Sequence, residues 1–324
     1  MYNDIKLDKT MYNISGKSFS SVLSDLDPDE EYADTPLNGL DAFERQLKRF
    51  DIKISGNDCD NVSKFFTTSE SAVLFPEFIR RQIKLGFDDA FILGDAAASM
   101  ITVDDNYYGI LTVEDDGEDC AVAEGGEMGA ITITTSNSSV SKYAKALKIS
   151  YESIRQKRID TFAVILKQLG MTIANSINAQ LLPPIGEIST TTTNVAEADF
   201  SYSSLIDFWT SMEDFEMDTI LCSKTMYAKI LEFDEIKNQV STGVSTNGSS
   251  VKTPFGVTII PVAGLSTPSY YGLSSKYCYE LVQSGDMTVE TGKLIILQFD
   301  QIAASVSMGI SKINPSAIIK LTLS

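Results

Sequence analysis

Residues 101–140 read ITVDDNYYGILTVEDDGEDCAVAEGGEMGAITITTSNSSV, and the fold turns on what this stretch can and cannot do. Ile101 and Val103, then Tyr108 and Ile110, and on the return Ile131 and Ile133 between threonines, have the two-residue period of strands. They predict two strand-like arms separated by an acidic, glycine-rich tip from Gly117 to Gly129. Isolated two-stranded hairpins are marginal in water, and these arms carry too few apolar residues to stand alone. A long hairpin of this kind needs something to lie on.

Its charge sharpens the point. Asp104, Asp105, Glu114, Asp115, Asp116, Glu118, Asp119, Glu124 and Glu127 fall within 101–140, with no Lys or Arg among them. These nine acids equal half of the formal net charge of -18. The sign then reverses: residues 142–182 hold Lys142, Lys145, Lys148, Arg155, Lys157, Arg158 and Lys167 against Glu152 and Asp160. One reading is a solvated acidic hairpin beside an ordinary basic helix face. The sharper reading is that the acidic element reaches a basic surface on a neighbouring subunit. The acids at 115–119 lack the EF-hand ligand pattern, so a divalent-cation loop is not expected.

Outward from the hairpin, residues 1–70 are polar, rich in Asp, Ser and Asn, and weakly periodic, with a short candidate helix at 40–50. They predict an extended arm that contributes little core. Pro76 suits the first turn of an amphipathic helix, and Gly86 suits its C-terminal cap. From Asp160, the residues Phe162, Ile165, Leu166, Leu169, Ile173, Ile177 and Leu181 recur at three or four positions. They mark one apolar stripe on a helix of about 23 residues, ending at Pro183-Pro184. A Thr-rich linker (189–194) precedes alternating material: a helix at 202–212, a strand at 219–222 and a helix at 223–231 whose buried face is shared by Met226 with Ile230 and Tyr227 with Leu231. Strands follow at 256–262, 277–282 and 287–289, then a broad C-terminal strand region closing on Ile319, Leu321 and Leu323.

Composition removes whole classes of chemistry. The chain of 324 residues has no histidine, so Ser-His-Asp and Cys-His nucleophiles and His-containing metal sites are absent. Cys59, Cys120, Cys222 and Cys278 are widely spaced and form no C-x-x-C pair, so metal ligation is not expected. No phosphate-binding loop and no dinucleotide fingerprint occur, and no cofactor is expected. What survives for an enzyme is carboxylate, Lys or Tyr chemistry. A strongly acidic chain does not grip nucleic acid across its surface, but it can wall a container that DNA must not stick to. The start of the chain lacks a leader pattern, and no run of 18 apolar residues occurs, which predicts a soluble protein made in the cytoplasm.

The order of these parts resembles a known family. A polar arm, a short helix, a long hairpin, a long helix, a compact α/β lobe and returning strands form the layout of tailed-bacteriophage major capsid proteins. Local sequences that look familial are KYAKALKIS (142–150), TPFGVTII (253–260) and SKY (275–277). The resemblance covers about residues 70–324. It implies an α+β fold of the Hong Kong 97 type, with N-terminal arm, extended β-hairpin loop, long spine helix, peripheral domain and axial domain. The parts would be the arm (1–70), a short helix leading into the peripheral domain (71–96), the extended loop (97–141), the spine helix of the peripheral domain (142–195), the axial domain (196–286) and C-terminal strands of the peripheral domain (287–324).

The implied function is non-enzymatic: hexamers and pentamers of the chain assemble in the host bacterial cytoplasm into the icosahedral virion capsid around double-stranded DNA. A scaffolding protein, a portal and possible decoration proteins are the implied partners, with no membrane. Some shells of this family cross-link a lysine of the extended loop to a neighbour. No Lys lies between Lys84 and Lys142 here, which predicts a non-covalent shell. The expected assembly contact pairs Asp115, Asp116, Glu118, Asp119 and Glu124 of one copy with Arg155, Lys157 and Arg158 of the next. Alternatives are an encapsulin-like nanocompartment, a phage tail or baseplate component, and a carboxylate-based enzyme.

Overall fold

The computed structural model describes residues 5–14, 16–33, 35–104, 107–115, 131–187, 191–241, 246–247, 250–294 and 299–324. Its first half contains α1 (Phe19–Leu26), α2 (Ala42–Arg49), α3 (Leu74–Asp88), α4 (Ile92–Asp95), β1 (Ser99–Val103), β2 (Tyr107–Asp115), β3 (Ile131–Ser139), β4 (Ser141–Ser150) and α5 (Tyr151–Gln156). The long helix α6 (Ile159–Glu187) follows, then β5 (Thr191–Val195), α7 (Tyr202–Thr210), β6 (Thr219–Ser223), α8 (Lys224–Leu231) and α9 (Asp234–Ser241). The chain closes with β7 (Thr246–Asn247), β8 (Ser250–Lys252), β9 (Thr258–Val262), β10 (Ser269–Leu273), β11 (Tyr279–Leu294), β12 (Phe299–Lys312) and β13 (Ile318–Leu323). Contacts divide the chain into two compact units. One combines Met1–Asp89, Ala144–Thr172 and Thr288–Ala304; the other combines Ala90–Tyr143, Ile173–Met287 and Ser305–Ser324.

In the first unit α3 and the start of α6 touch backbone to backbone. A Cβ on Gly86 would lie 2.0 Å from the carbonyl oxygen of Lys167, and one on Gly170 would lie 2.0 Å from that of Ile83. Gly86 therefore sits inside α3, where the close approach requires it, and does not cap the helix as its sequence position suggested. Around the crossing, Phe75 stacks on Phe162 at 6.0 Å, and Phe65 meets both Phe75 and Phe78 at 5.4 Å.

Residues 5–66 are not an extended arm that contributes little core. Phe19, Leu23, Phe43, Leu47, Val62 and Phe65 are all buried. α2 is closed by a capping box, in which Asp41 accepts from the Glu44 N–H at 2.7 Å and the Glu44 carboxylate accepts from the Asp41 N–H at 3.2 Å. The misleading polarity comes from buried polar groups that have partners. The fully buried Arg45 donates through Nε to Asp27 at 2.9 Å, and to Asp29 at 2.8 Å, with the Tyr32 ring 4.3 Å from its guanidinium carbon. Glu77 of α3, 1% exposed, accepts from Ser20 at 2.6 Å, Arg80 at 2.9 Å and Arg81 at 3.0 Å. Burial alone would raise the Glu77 pKa, but the Arg80, Ser20 and Arg81 contacts outweigh it and hold the carboxyl below its ordinary value.

α6 runs through Pro183 and Pro184, where the sequence predicted its end. Both prolines fall in the last turn and a half, and the burial of Leu181, Leu182 and Ile185 around them holds the helical path. At 1.5 Å per residue the helix is about 44 Å long. The predicted stripe is its buried side, apart from the half-buried Ile165, while Val164 and Met171 face outward.

The second unit is built on a seven-stranded sheet of order β5-β13-β10-β6-β9-β8-β7. β10 is antiparallel to both β13 and β6, and β6 is parallel to β9. The Tyr270 hydroxyl of β10 donates to the Met226 carbonyl of α8 at 2.9 Å, and Gly272 lets Met217 and Phe208 approach, since a Cβ there would lie 2.6 and 3.0 Å from them. β13 alternates as predicted, with Ile319, Leu321 and Leu323 buried. The expected Thr-rich linker contains strand β5, parallel to β13, as suits β-branched threonines at a sheet edge.

A four-stranded sheet has the order β1-β11-β12-β4. β1 was expected in the hairpin but pairs in parallel with β11, Ile101 opposite Val282. The hairpin itself is β2 against β3, from Tyr107–Ser139 to Asp115–Ile131, and it forms a sheet of only two strands. The basic stretch at 142–150, which one reading made a helix face, is strand β4, with Lys142, Lys145 and Lys148 exposed.

Two outcomes test this architecture. Gly170→Ala should lower stability by about 2 kcal/mol, because overpacking at the crossing exceeds the gain of about 1 kcal/mol in helix propensity. Gly292→Ala, with nothing near its Cβ, should change stability by less than about 0.5 kcal/mol in the same denaturant titration. Because the Glu77 pKa is lowered in the folded chain, its stabilisation is present above the ordinary value of 4.5 and is lost as pH falls through the folded value. Glu77→Gln should therefore lose about 3 kcal/mol at neutral pH and show a shallower decline in stability on acidification.

Candidate assembly interface

The β2–β3 ribbon is the feature that its own chain leaves unfinished. Ile131 is 66% exposed and Ile133 63%, and Thr132 and Thr134 on the opposite face are exposed as well. Val113, paired with Ile133, is half-buried. The ribbon is tied to its own chain near the acidic end of β2, where the Val113 N–H donates to the Ile313 carbonyl at 2.9 Å and Thr112 is buried. Covering a mostly exposed isoleucine is worth about 1 to 2 kcal/mol, more than the 0 to 1 kcal/mol of an exposed ion pair.

Of the predicted acidic contacts, Asp115 is the last residue of β2. Asp116, Glu118, Asp119 and Glu124 lie outside the described residues, as does the whole of the expected tip. The predicted basic partners occupy the first unit. Arg155 and Lys157 are exposed at the end of α5, and the Arg155 guanidinium lies 5.8 Å from the Phe66 ring. Both residues of that pair line a cavity of about 400 Å³, with Phe75, Ile79, Ile154 and Ile302 among its walls. Lys157 lends its carbonyl to the Val62 N–H at 2.9 Å. Arg158 is engaged within its own chain, donating to Asp160 at 2.7 Å and to the Gly56 carbonyl at 3.0 Å. That pairing raises the Arg158 pKa and holds the Asp160 carboxyl below its ordinary value. The three cations therefore differ: Arg155 borders an apolar cavity, Lys157 is exposed, and Arg158 already has a carboxylate partner.

Among the described residues no cluster of metal-ligating side chains occurs, and no helix is long and apolar enough to cross a membrane. Cys222 and Cys278 are buried thiols pushed up to about 12 by their burial.

Comparison with known proteins decides the family. The family model described as phage capsid protein matches residues 133–320, more than half of the chain. The chain belongs to the phage capsid protein family. As a capsid protein it also shares its fold with solved shells. The virus-like particle from Pyrococcus furiosus matches with a TM-score of 0.55 at 12% identity, over 76% of this chain and 98% of the other. The capsid of cyanophage P-SCSP1u matches at 0.53 and 14% identity, over 72% and 88%. The capsid of the native GTA particle matches at 0.52 and 11%, over 72% and 89%. No curated protein matches the sequence. The fold is α+β and of the Hong Kong 97 type, as the element order implied, and the chain is a structural subunit of a capsid shell.

Proposed function

We propose that this capsid protein builds, from hexamers and pentamers of itself, an icosahedral virion shell that encloses phage double-stranded DNA without covalent cross-links and without catalysis. The reading rests on the family match combined with one observation: a two-stranded ribbon exposes its isoleucines on the chain that makes it. In this assignment residues 1–70 are the N-terminal arm region, itself part of the first unit, and 71–96 lead into the peripheral domain. Residues 97–141 hold the extended loop, with β1 given over to the four-stranded sheet; 142–195 hold the spine helix α6, between β4 and β5; 196–286 are the axial domain and 287–324 the C-terminal strands of the peripheral domain, except that β13 joins the seven-stranded sheet. Assembly takes place in the host cytoplasm with a separate scaffolding protein and a portal, with decoration proteins as additional partners.

The acidic end of the ribbon, Asp115, Asp116, Glu118, Asp119 and Glu124, lies in this mechanism against Arg155 and Lys157 of the next copy, with Arg158 shared between that contact and Asp160. Each exposed pair contributes little, but repetition at every subunit boundary fixes register. Contacts that are individually weak let a misplaced subunit leave. The absence of Lys between Lys84 and Lys142 supports a shell held by overlap, burial and charge.

A second reading, a protein compartment that holds cargo other than a genome, is favoured by the likeness to the Pyrococcus furiosus particle, 98% of whose chain is covered. Nuclease-resistant DNA inside purified particles supports the virion reading, and particles free of it support the compartment. The interface is tested by changing Asp115, Asp116, Glu118 and Asp119 together to Lys. Circular dichroism should show a folded subunit, and negative-stain microscopy should show no closed shells; normal particles from this variant would overturn the contact.

A further inference from the structure

The seven-stranded unit carries a row of aromatic rings that its core does not fully cover. Trp209, the chain's one tryptophan, lies 5.4 Å from Phe255, which lies 6.4 Å from Tyr202, which meets Phe233 edge-on at 6.3 Å. Phe233 is 5.4 Å from Phe200, which stacks on the buried Tyr270 at 5.1 Å. Trp209, Phe255, Tyr202, Phe233 and Phe200 each pack one side on the core and keep the other partly open. Between Phe200, Tyr202 and Phe233 the surface opens into a hollow of about 430 Å³ whose rim carries Glu232, Asp234 and Glu235. Asp234 is met by Lys237 of its own helix at 3.7 Å, whereas Glu232 and Glu235 form no ion pair among the described residues. Aromatic walls with carboxylates above them recognise a cation on a short apolar stem, because ring faces and carboxylates both attract it and the rings cover the methylenes.

The same chain offers such a cation on a separate element. β4 is the terminal strand of its sheet and holds Lys142, Lys145 and Lys148, all exposed, with no acid anywhere from Ser141 to Ser150. None of these lysines forms an ion pair among the described residues. We propose that the hollow between Phe200, Tyr202 and Phe233 is a socket for a β4 lysine of a second copy of this chain. This rests on the reading of the chain as a shell subunit. Passed from each copy to the next around a rotation axis, such a contact closes a ring. It is distinct from the ribbon contact and runs in the opposite electrostatic sense: there the ribbon supplies acids, here the strand that follows it supplies bases. Aromatic rings at its centre and charges at its edge match the anatomy of protein interfaces that bind through a few anchors.

A charge-swap experiment tests the socket. The Glu232→Lys/Glu235→Lys variant and the Lys142→Glu/Lys145→Glu/Lys148→Glu variant are compared with the wild-type chain and with a chain carrying all five changes, by sedimentation and negative-stain microscopy, after circular dichroism shows each to be folded. Each set alone should need at least about tenfold more protein to form particles, and the chain with all five changes, every copy of which carries both halves of the reversed pair, should need at least about threefold less than either. Wild-type particles together with unchanged assembly of either variant, or a five-change chain no better than the two variants, would overturn the socket and leave the shell reading standing. A wild-type chain that forms no particles would overturn the shell reading itself.

Discussion

A two-stranded ribbon cannot bury both of its faces, and that constraint governs this molecule. β2 and β3 pair along nine residue positions, yet Ile131 and Ile133 stay exposed and no third strand joins them among the described residues. Two strands have no interior. The ribbon acquires one only by lying on another surface, and in the shell proposed above further copies of the chain supply it.

Such an element is useful only if its subunit does not deform when it docks. In the first unit the glycine contact between α3 and α6 brings two helix backbones together, so neither can shift without a steric clash. The buried Glu77 ties α1 to α3 through Ser20, and the buried Arg45 ties α2 to the segment after α1 through Asp27 and Asp29, with charged groups that cannot be left unpaired. In the second unit the strand β10, buried along its whole length, plays the corresponding part. Each unit thus spends its apolar residues on rigidity. What remains outside, the ribbon isoleucines, the half-open aromatic row and the β4 lysines, which form no ion pair among the described residues, is available for other copies.

The features of period and order were legible in the sequence. The two-residue alternation of β13 and the stripe of α6 each reflect one buried face, which leaves a local mark, whereas the alternation of β3 marks a face that stays exposed. The missing histidine and the charge reversal at Lys142 also needed no coordinates. Three other features depended on distant partners. β1 alternates like a hairpin arm, but its hydrogen bonds go to β11, some 180 residues away. Gly86 looks like a cap until Lys167 is placed against it. The N-terminal helices looked like solvated chain because Asp27, Arg45 and Glu77 are polar residues in buried positions, and sequence does not reveal that each has partners. The strand β10, Ser-Tyr-Tyr-Gly-Leu, lacks alternation because both its faces are covered, so the two-residue period that betrays an edge-facing strand is absent. The aromatic hollow left no sequence signal at all, since its rings come from two separate segments.

The most direct measurement is amide hydrogen exchange across residues 107–115 and 131–139 in dissociated subunits and in assembled particles. The ribbon should exchange rapidly in the subunit, while α6 and β10 are protected in both states, and its protection should rise at least about a hundredfold on assembly. Equal protection of the ribbon before and after assembly would mean that its own chain already gives it an interior, and would contradict the account.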